Sequence, residues 1–317
     1  MDFPFQNLQS QISIITGSNS DWKQIMPGIE ILKNLAIPKD KIEAGVASAH
    51  RIPKVMHAVI DSADEKNFPV VIITAAGASA HLQGTFASQT IKPVIGITVK
   101  GSIMNGCDAF LSQIRMPGGC PLSVAPGNGE QSARNSVLAA LSNLGVKDKF
   151  YLEKLAKFYA VPLPASKNPK INIYAKKHLE IIKNQLAEFE YFDFEIKETH
   201  ADLLNNPLLS IIEVCGQEEM EQIEHGIKEY QNQHLGPILL YFDELDDEKM
   251  IHLHQKFVAN FDTHAVLISF GKAGAENAAL QALRIIGNGD NEMSSKLKTF
   301  AKKQSQKVLE TSAEFKY

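Results

Sequence analysis

Three short runs in the first third of the chain hold the side chains best suited to chemistry. The first is Gly17-Ser18-Asn19-Ser20-Asp21-Trp22. The second is Ala47-Ser48-Ala49-His50-Arg51, and the third is Gly77-Ala78-Ser79-Ala80-His81-Leu82-Gln83-Gly84. An imidazole has a reference pKa of about 6.5, close to what proton transfer at neutral pH requires. Arg51 offers a planar fork of donors suited to phosphate. Gly17 permits a tight turn, and a helix start behind it presents unpaired N–H groups that bind phosphate. Asp21 cannot favour phosphate by charge and reads instead as an acceptor for sugar hydroxyls. The small residues before His81 let backbone amides approach a ligand closely. Each run also has a plainer reading: helix capping by Ser18, Ser20 or Asp21, an ordinary surface histidine at position 50, and a tight helix start at 77–84. Their arrangement in sequence favours a site, because each follows a separate predicted strand.

Those strands must position the three loops. Ile12 to Ile15 forms the first predicted strand, with a helix from Asp21 to about Leu35 and a break at Pro38. Ile42 to Val46 is the second, followed by a helix from about Pro53 to Asp64. Val70 to Thr74 is the third, dense in β-branched residues; Val94 to Val99 is the fourth and Leu122 to Ala125 the fifth. Helices are expected over about 132–144 and 149–158. Strands alternating with helices imply an α/β fold, a three-layer parallel sheet with helices on both faces, flavodoxin-like or Rossmann-like. In such sheets ligands bind at the carboxyl ends of the strands, where all three loops fall. Met116-Pro117-Gly118-Gly119-Cys120-Pro121 is a rigid loop that either closes over a substrate or makes a plain turn.

Composition narrows the class. The 317 residues suffice for two domains, with 44% hydrophobic and 21% charged residues as in soluble globular proteins. A net charge of -4 gives no reason to expect nucleic acid or an acidic membrane as partner. Cys107, Cys120 and Cys215 are widely spaced and odd in number, which reads as reduced thiols in a cytoplasm. The N-terminal residues lack the pattern of a secretory signal, and the apolar run at 70–76 is far short of the roughly 20 residues of a membrane span. The lysine-rich run 296–307 and the acidic run 243–248 read as solvated surface, without trustworthy metal-ligand spacing.

The pattern then restarts. Residues 162–170 hold Pro162, Pro164 and Pro169 and suit a linker. Beyond it, Ile171-Asn172-Ile173-Tyr174 mirrors the first strand, and 207–214 and 236–239 mirror the third and fourth. Gly129, Ala133, Asn135, Leu138, Leu141, Gly145, Asp148, Leu155 and Phe158 reappear, each 142 positions later, as Gly271, Ala275, Asn277, Leu280, Leu283, Gly287, Asp290, Leu297 and Phe300. The expected organisation is a catalytic domain at 9–161, a linker at 162–170 and a degenerate structural repeat at 171–312. The repeat has lost the chemistry: Ala175-Lys176-Lys177-His178 replaces the first glycine-serine turn, the counterpart of His81 falls near Met220, and His200 lacks a following arginine.

The first copy resembles the N5-carboxyaminoimidazole ribonucleotide mutase family of purine biosynthesis. The matching runs are 17–22, Ser48-Ala49-His50-Arg51-Ile52-Pro53, Ala80-His81-Leu82, Pro93-Val94-Ile95-Gly96 and Gln113-Ile114-Arg115-Met116-Pro117-Gly118-Gly119. The resemblance implies an isomerase without cofactor or metal, which moves a carboxylate from the exocyclic nitrogen to the ring carbon through enclosed carbon dioxide. It makes His50 the general acid/base and places His81 at the carbon dioxide pocket. It assigns Ser18, Asp21 and Arg51 to the ribose phosphate, and Ser48, Gly77, Ala78, Ser79, Ala80 and Leu82 to the surroundings of base and carboxylate. Ala78, Gln83, Thr85 and Arg115 depart from the family pattern, as does the stretch 127–130. The resemblance also implies a homotetramer forming a pseudo-octamer. Two other functions stay open: direct carboxylation of aminoimidazole ribonucleotide by carbon dioxide, and a non-catalytic scaffold that binds a purine nucleotide.

Overall fold

The computed structural model describes residues 10–77, 81–101, 105–163, 170–198, 208–216, 219, 234–244, 246, 248 and 261–314. The first half begins with β1 (Ile12–Thr16), α1 (Trp22–Asn34), β2 (Ile42–Val46), α2 (Pro53–Asp64), β3 (Val71–Ala76) and α3 (His81–Gln89). It continues through β4 (Val94–Thr98), α4 (Cys107–Ile114), β5 (Ser123–Val124), α5 (Glu130–Gly145) and α6 (Lys149–Tyr159). The second half contains β6 (Ile171–Tyr174), α7 (Leu179–Glu188), β7 (Phe194–Ile196), β8 (Leu209–Val214), β9 (Ile238–Phe242) and β10 (Ala265–Phe270). It closes with α8 (Gly271–Ile286) and α9 (Asn291–Glu314).

Local chemistry explains the elements. β3 reads Val-Ile-Ile-Thr-Ala-Ala and is buried nearly throughout, as a strand covered on both faces requires. Pro53 opens α2 at a position where its missing N–H costs nothing. Met56, Val59, Ile60 and Ala63 then form the apolar stripe that α2 lays on the sheet. Asp148 caps α6 by accepting from the Phe150 amide at 2.9 Å. Gly28 lets α1 meet α5 closely, since a Cβ there would lie 2.6 Å from the Ala133 carbonyl oxygen.

The ten strands among the described residues join one sheet, in the order β2-β1-β3-β4-β5-β10-β9-β8-β6-β7. Neighbours run parallel except at the centre, where β10 pairs antiparallel with β5 through Leu267 and Val124. The expectation of a parallel sheet therefore holds within each half and fails at this seam. Each half presents one edge strand there, and the two unpaired edges satisfy each other. Read outward from the seam, β10-β9-β8-β6-β7 repeats the order β5-β4-β3-β1-β2. Alternate residues face opposite layers: Ile14, Ile73 and Leu239 enter one apolar core and Ile15, Ile72 and Leu240 the other. Both cores draw on both halves.

Residues separated by 142 positions do matching work at the seam. Asn135 on α5 accepts from the Thr263 amide at 2.9 Å, while Asn277 on α8 donates to the Pro117 carbonyl at 2.9 Å. Ser142 donates to the Leu235 carbonyl at 2.7 Å, and Arg284 donates to the Ala87 carbonyl at 3.0 Å. Asn288 pairs with both the N–H and the C=O of Val70, at 3.0 and 2.8 Å. The loop 116–121 belongs to this seam. Pro117 takes the Asn277 bond, and Gly118 lies so close to Glu276 that a Cβ would come within 2.4 Å of its carboxylate. Of its two expected roles, this packing favours the plain turn. No helix among the described residues is long and apolar enough to cross a membrane.

Candidate active site

The carboxyl ends of β1, β2 and β3 end in the three loops singled out by residue type. Parallel pairing in register brings these ends side by side, with Thr16 opposite Val46 and Ala75. Backbone bonds continue past the strand ends: the Gly17 amide donates to the Ala75 carbonyl and the Ala47 amide to the Thr16 carbonyl, both at 2.9 Å. The loops enclose a cleft of about 610 Å³, lined by Ser18, Asp21, Ser48, Arg51, His50 and His81, with Gly77 and Leu82 on its wall. Gly17, Ala49 and Ala76 complete the lining. Ala78, Ser79 and Ala80 lie outside the described residues.

His50 Nε2 and His81 Nδ1 stand 3.0 Å apart, with the rings edge to face at 77°. One nitrogen donates and the other accepts, so the pair can pass a proton between rings. Both side chains remain open to the cleft. Ser48 sets the second loop: its hydroxyl accepts from the Arg51 amide at 3.4 Å and its carbonyl from the Ile52 amide at 3.0 Å. The Arg51 guanidinium stays exposed beside them.

The capping reading of the first loop also holds. Ser18 caps the short 3-10 turn Asn19–Asp21 by accepting from the Ser20 amide at 3.3 Å. Capping and ligand binding are compatible here, because the same turn lines the cleft. Asp21 makes no cap bond to α1 and accepts instead from the Ser20 hydroxyl at 3.1 Å. Burial raises the Asp21 carboxyl above its ordinary value, against the lowering pull of that hydroxyl. A larger cavity of about 710 Å³ opens at the other end of these strands, beside Gln11, Lys41, Phe68 and Asn288. None of the three loops reaches it, and it lies at the amino ends, opposite to where open parallel sheets bind ligands.

The corresponding rim of the second half carries charge against charge. Fully buried Glu213, near the end of β8, accepts from the Lys177 amide at 2.8 Å and meets His178 Nδ1 at 2.6 Å. Lys176 pairs with Glu219 at 2.8 Å, and Lys177 with Asp243. Asp243 is held below its ordinary value: burial would raise it, but the bond from Lys177 and its charge prevail. Burial, with Glu213, Glu219 and Asp243 nearby, pushes the Cys215 thiol up to about 12. Such a thiol is a poor nucleophile at neutral pH. Met220 and His200, the expected counterparts of His81 and His50, lie outside the described residues.

Sheet and cleft together define an α/β protein with an open cleft at the carboxyl edge of parallel strands, where two imidazoles meet. The AIR carboxylase family profile matches residues 11–161, which contain every residue of the cleft. The N5-carboxyaminoimidazole ribonucleotide mutase of Saccharolobus solfataricus is 38% identical over 148 residues, covering 47% of this chain and 89% of that protein. The mutase of Bacillus subtilis is 38% identical, covering 47% and 88%. That of Escherichia coli K12 is 34% identical, covering 47% and 86%. The chain belongs to this family.

Proposed function

We propose that residues 9–161 form an N5-carboxyaminoimidazole ribonucleotide mutase of de novo purine biosynthesis. The observation that supports it most is the His50–His81 contact of 3.0 Å, in one cleft with Ser18, Asp21 and Arg51. Arg51 and the turn at Ser18 take the phosphate, and Asp21 takes ribose hydroxyls. The N–C bond to the carboxylate breaks, releasing carbon dioxide, and the nitrogen gains a proton from His50. The ring carbon then bonds to carbon dioxide and returns its proton to His50, so the enzyme ends as it began. His81, within hydrogen-bond reach, relays or steadies that proton. Carbon dioxide is neutral and weakly held, so confinement supplies the proximity, and exclusion of water keeps it from escaping.

On this reading 162–170 is a linker and 171–312 a duplicated copy retained for structure, its rim closed by Glu213 and its neighbours. Four chains assemble as a cytoplasmic pseudo-octamer. Light scattering then gives the mass of four chains, and a stable monomer contradicts the assembly.

The deciding assay follows conversion of N5-carboxyaminoimidazole ribonucleotide by the full chain. A parallel reaction supplies bicarbonate and the decarboxylated nucleotide. Turnover in the first and little in the second is expected; the reverse result makes the protein a direct carboxylase. Binding without turnover in either makes it a scaffold. His50→Asn abolishes turnover while nucleotide binding persists, whereas His200→Asn leaves the rate near wild type.

A further inference from the structure

Gln83 sits two residues beyond His81, near the start of α3. Its side chain is fully buried, yet it is polar. Nε2 donates to the Ala76 carbonyl at 3.0 Å, at the last residue of β3. The same nitrogen lies 3.2 Å from the Ile97 carbonyl on β4. One amide therefore ties the first turn of α3 to the end of β3 and to the neighbouring strand β4. Within α3, Thr85 donates to the His81 carbonyl at 2.7 Å.

The site comes with a liability. Gln83 Oε1 is buried and meets no donor among the described residues. A buried acceptor left in this way destabilises a fold, and an apolar side chain of equal length would not incur that penalty. Space for the amide is also specific: a Cβ on Gly96 would lie 3.2 Å from Gln83 Cγ and 2.0 Å from Gln113 Oε1. The orphaned oxygen is offset by two backbone carbonyls that the same amide satisfies, one of them, Ala76, on the wall of the cleft.

We propose that Gln83 is a positioning residue, which sets His81 against His50 by clamping the carboxyl ends of β3 and β4. The proposal rests on the reading of His50 and His81 as the proton-handling pair. Its central test is Gln83→Met, which keeps length and volume but removes both donors. Expected are a fall in kcat of about tenfold or more with KM within about twofold, read well below a melting midpoint that the two unpaired carbonyls lower by several degrees. Gln83→Glu is the companion. Its buried acid, when protonated, can donate one of the two bonds, so the kcat loss relative to wild type shrinks as pH falls.

A third readout needs no turnover. The imidazole NMR signals of His50 and His81 shift in Gln83→Met while those of distant histidines stay in place. Unchanged kcat and unchanged histidine signals in Gln83→Met overturn the proposal. A kcat loss with unshifted His50 and His81 signals overturns it too, as it reports folding alone. If wild type itself lacks mutase turnover, the assigned reaction fails, and the histidine signals alone decide whether Gln83 positions the pair.

Discussion

Each cleft residue has a separable task. The Ser48 hydroxyl accepts from the Arg51 amide, and Arg51 faces solvent on the cleft lining, where the proposed reading brings the phosphate. Arg51→Ala should raise KM roughly tenfold to a hundredfold and lower kcat far less, the signature of lost ground-state binding to a charged group. Steady-state kinetics at fixed ionic strength measure it, and a kcat loss with unchanged KM contradicts the assignment. His50, His81, Ser18, Asp21 and Arg51 were all legible in the sequence, because chemistry-bearing side chains stood among small residues at predicted strand ends. Gln83 was legible only as an oddity. Its role depends on two carbonyls, one from a strand remote in sequence, and no spacing rule points to them.

At the level of elements, helix and strand patterns were readable where periodicity and Pro or Gly breaks coincide. β2 falls at 42–46 and α2 at 53–64 as the sequence predicts. β7 is three residues long and too short to declare itself. The seam was not foreseen, since strand-edge pairing between distant segments leaves no local trace. Its polar fastenings include residues 142 positions apart: Asn135 and Asn277 each reach from a helix to a backbone across the boundary. Asn288, which has no such counterpart, serves both polar groups of buried Val70. Asn288→Ala leaves that N–H and C=O unpaired and should destabilise the fold by roughly 2–4 kcal/mol. Urea denaturation checks this, and a change below about 0.5 kcal/mol contradicts it.

For the molecule as a whole, the seam also makes stability sensitive to acid. His264, between β9 and β10 segments and Tyr159 of α6, is buried with Nδ1 3.3 Å from the Tyr159 hydroxyl. Burial pushes its imidazole down to about 4, aided by His234. The folded chain keeps this ring neutral, while the unfolded chain protonates it below its ordinary value of about 6.5. Stability is therefore intact above about 6.5 and declines as pH falls toward 4, by roughly 3 kcal/mol from this group. Thermal melts across that window should show the decline, and His264→Gln should flatten it. An unaltered slope in the variant assigns the acid sensitivity elsewhere. The reversal of strand direction at β5 and β10 has one more result. Because the halves point opposite ways, the histidine cleft and the Glu213 cluster occupy opposite poles. A chain tethered to a solid support through the Glu213 pole would turn its open mouth to the bulk solution, and one tethered the other way round would be blocked.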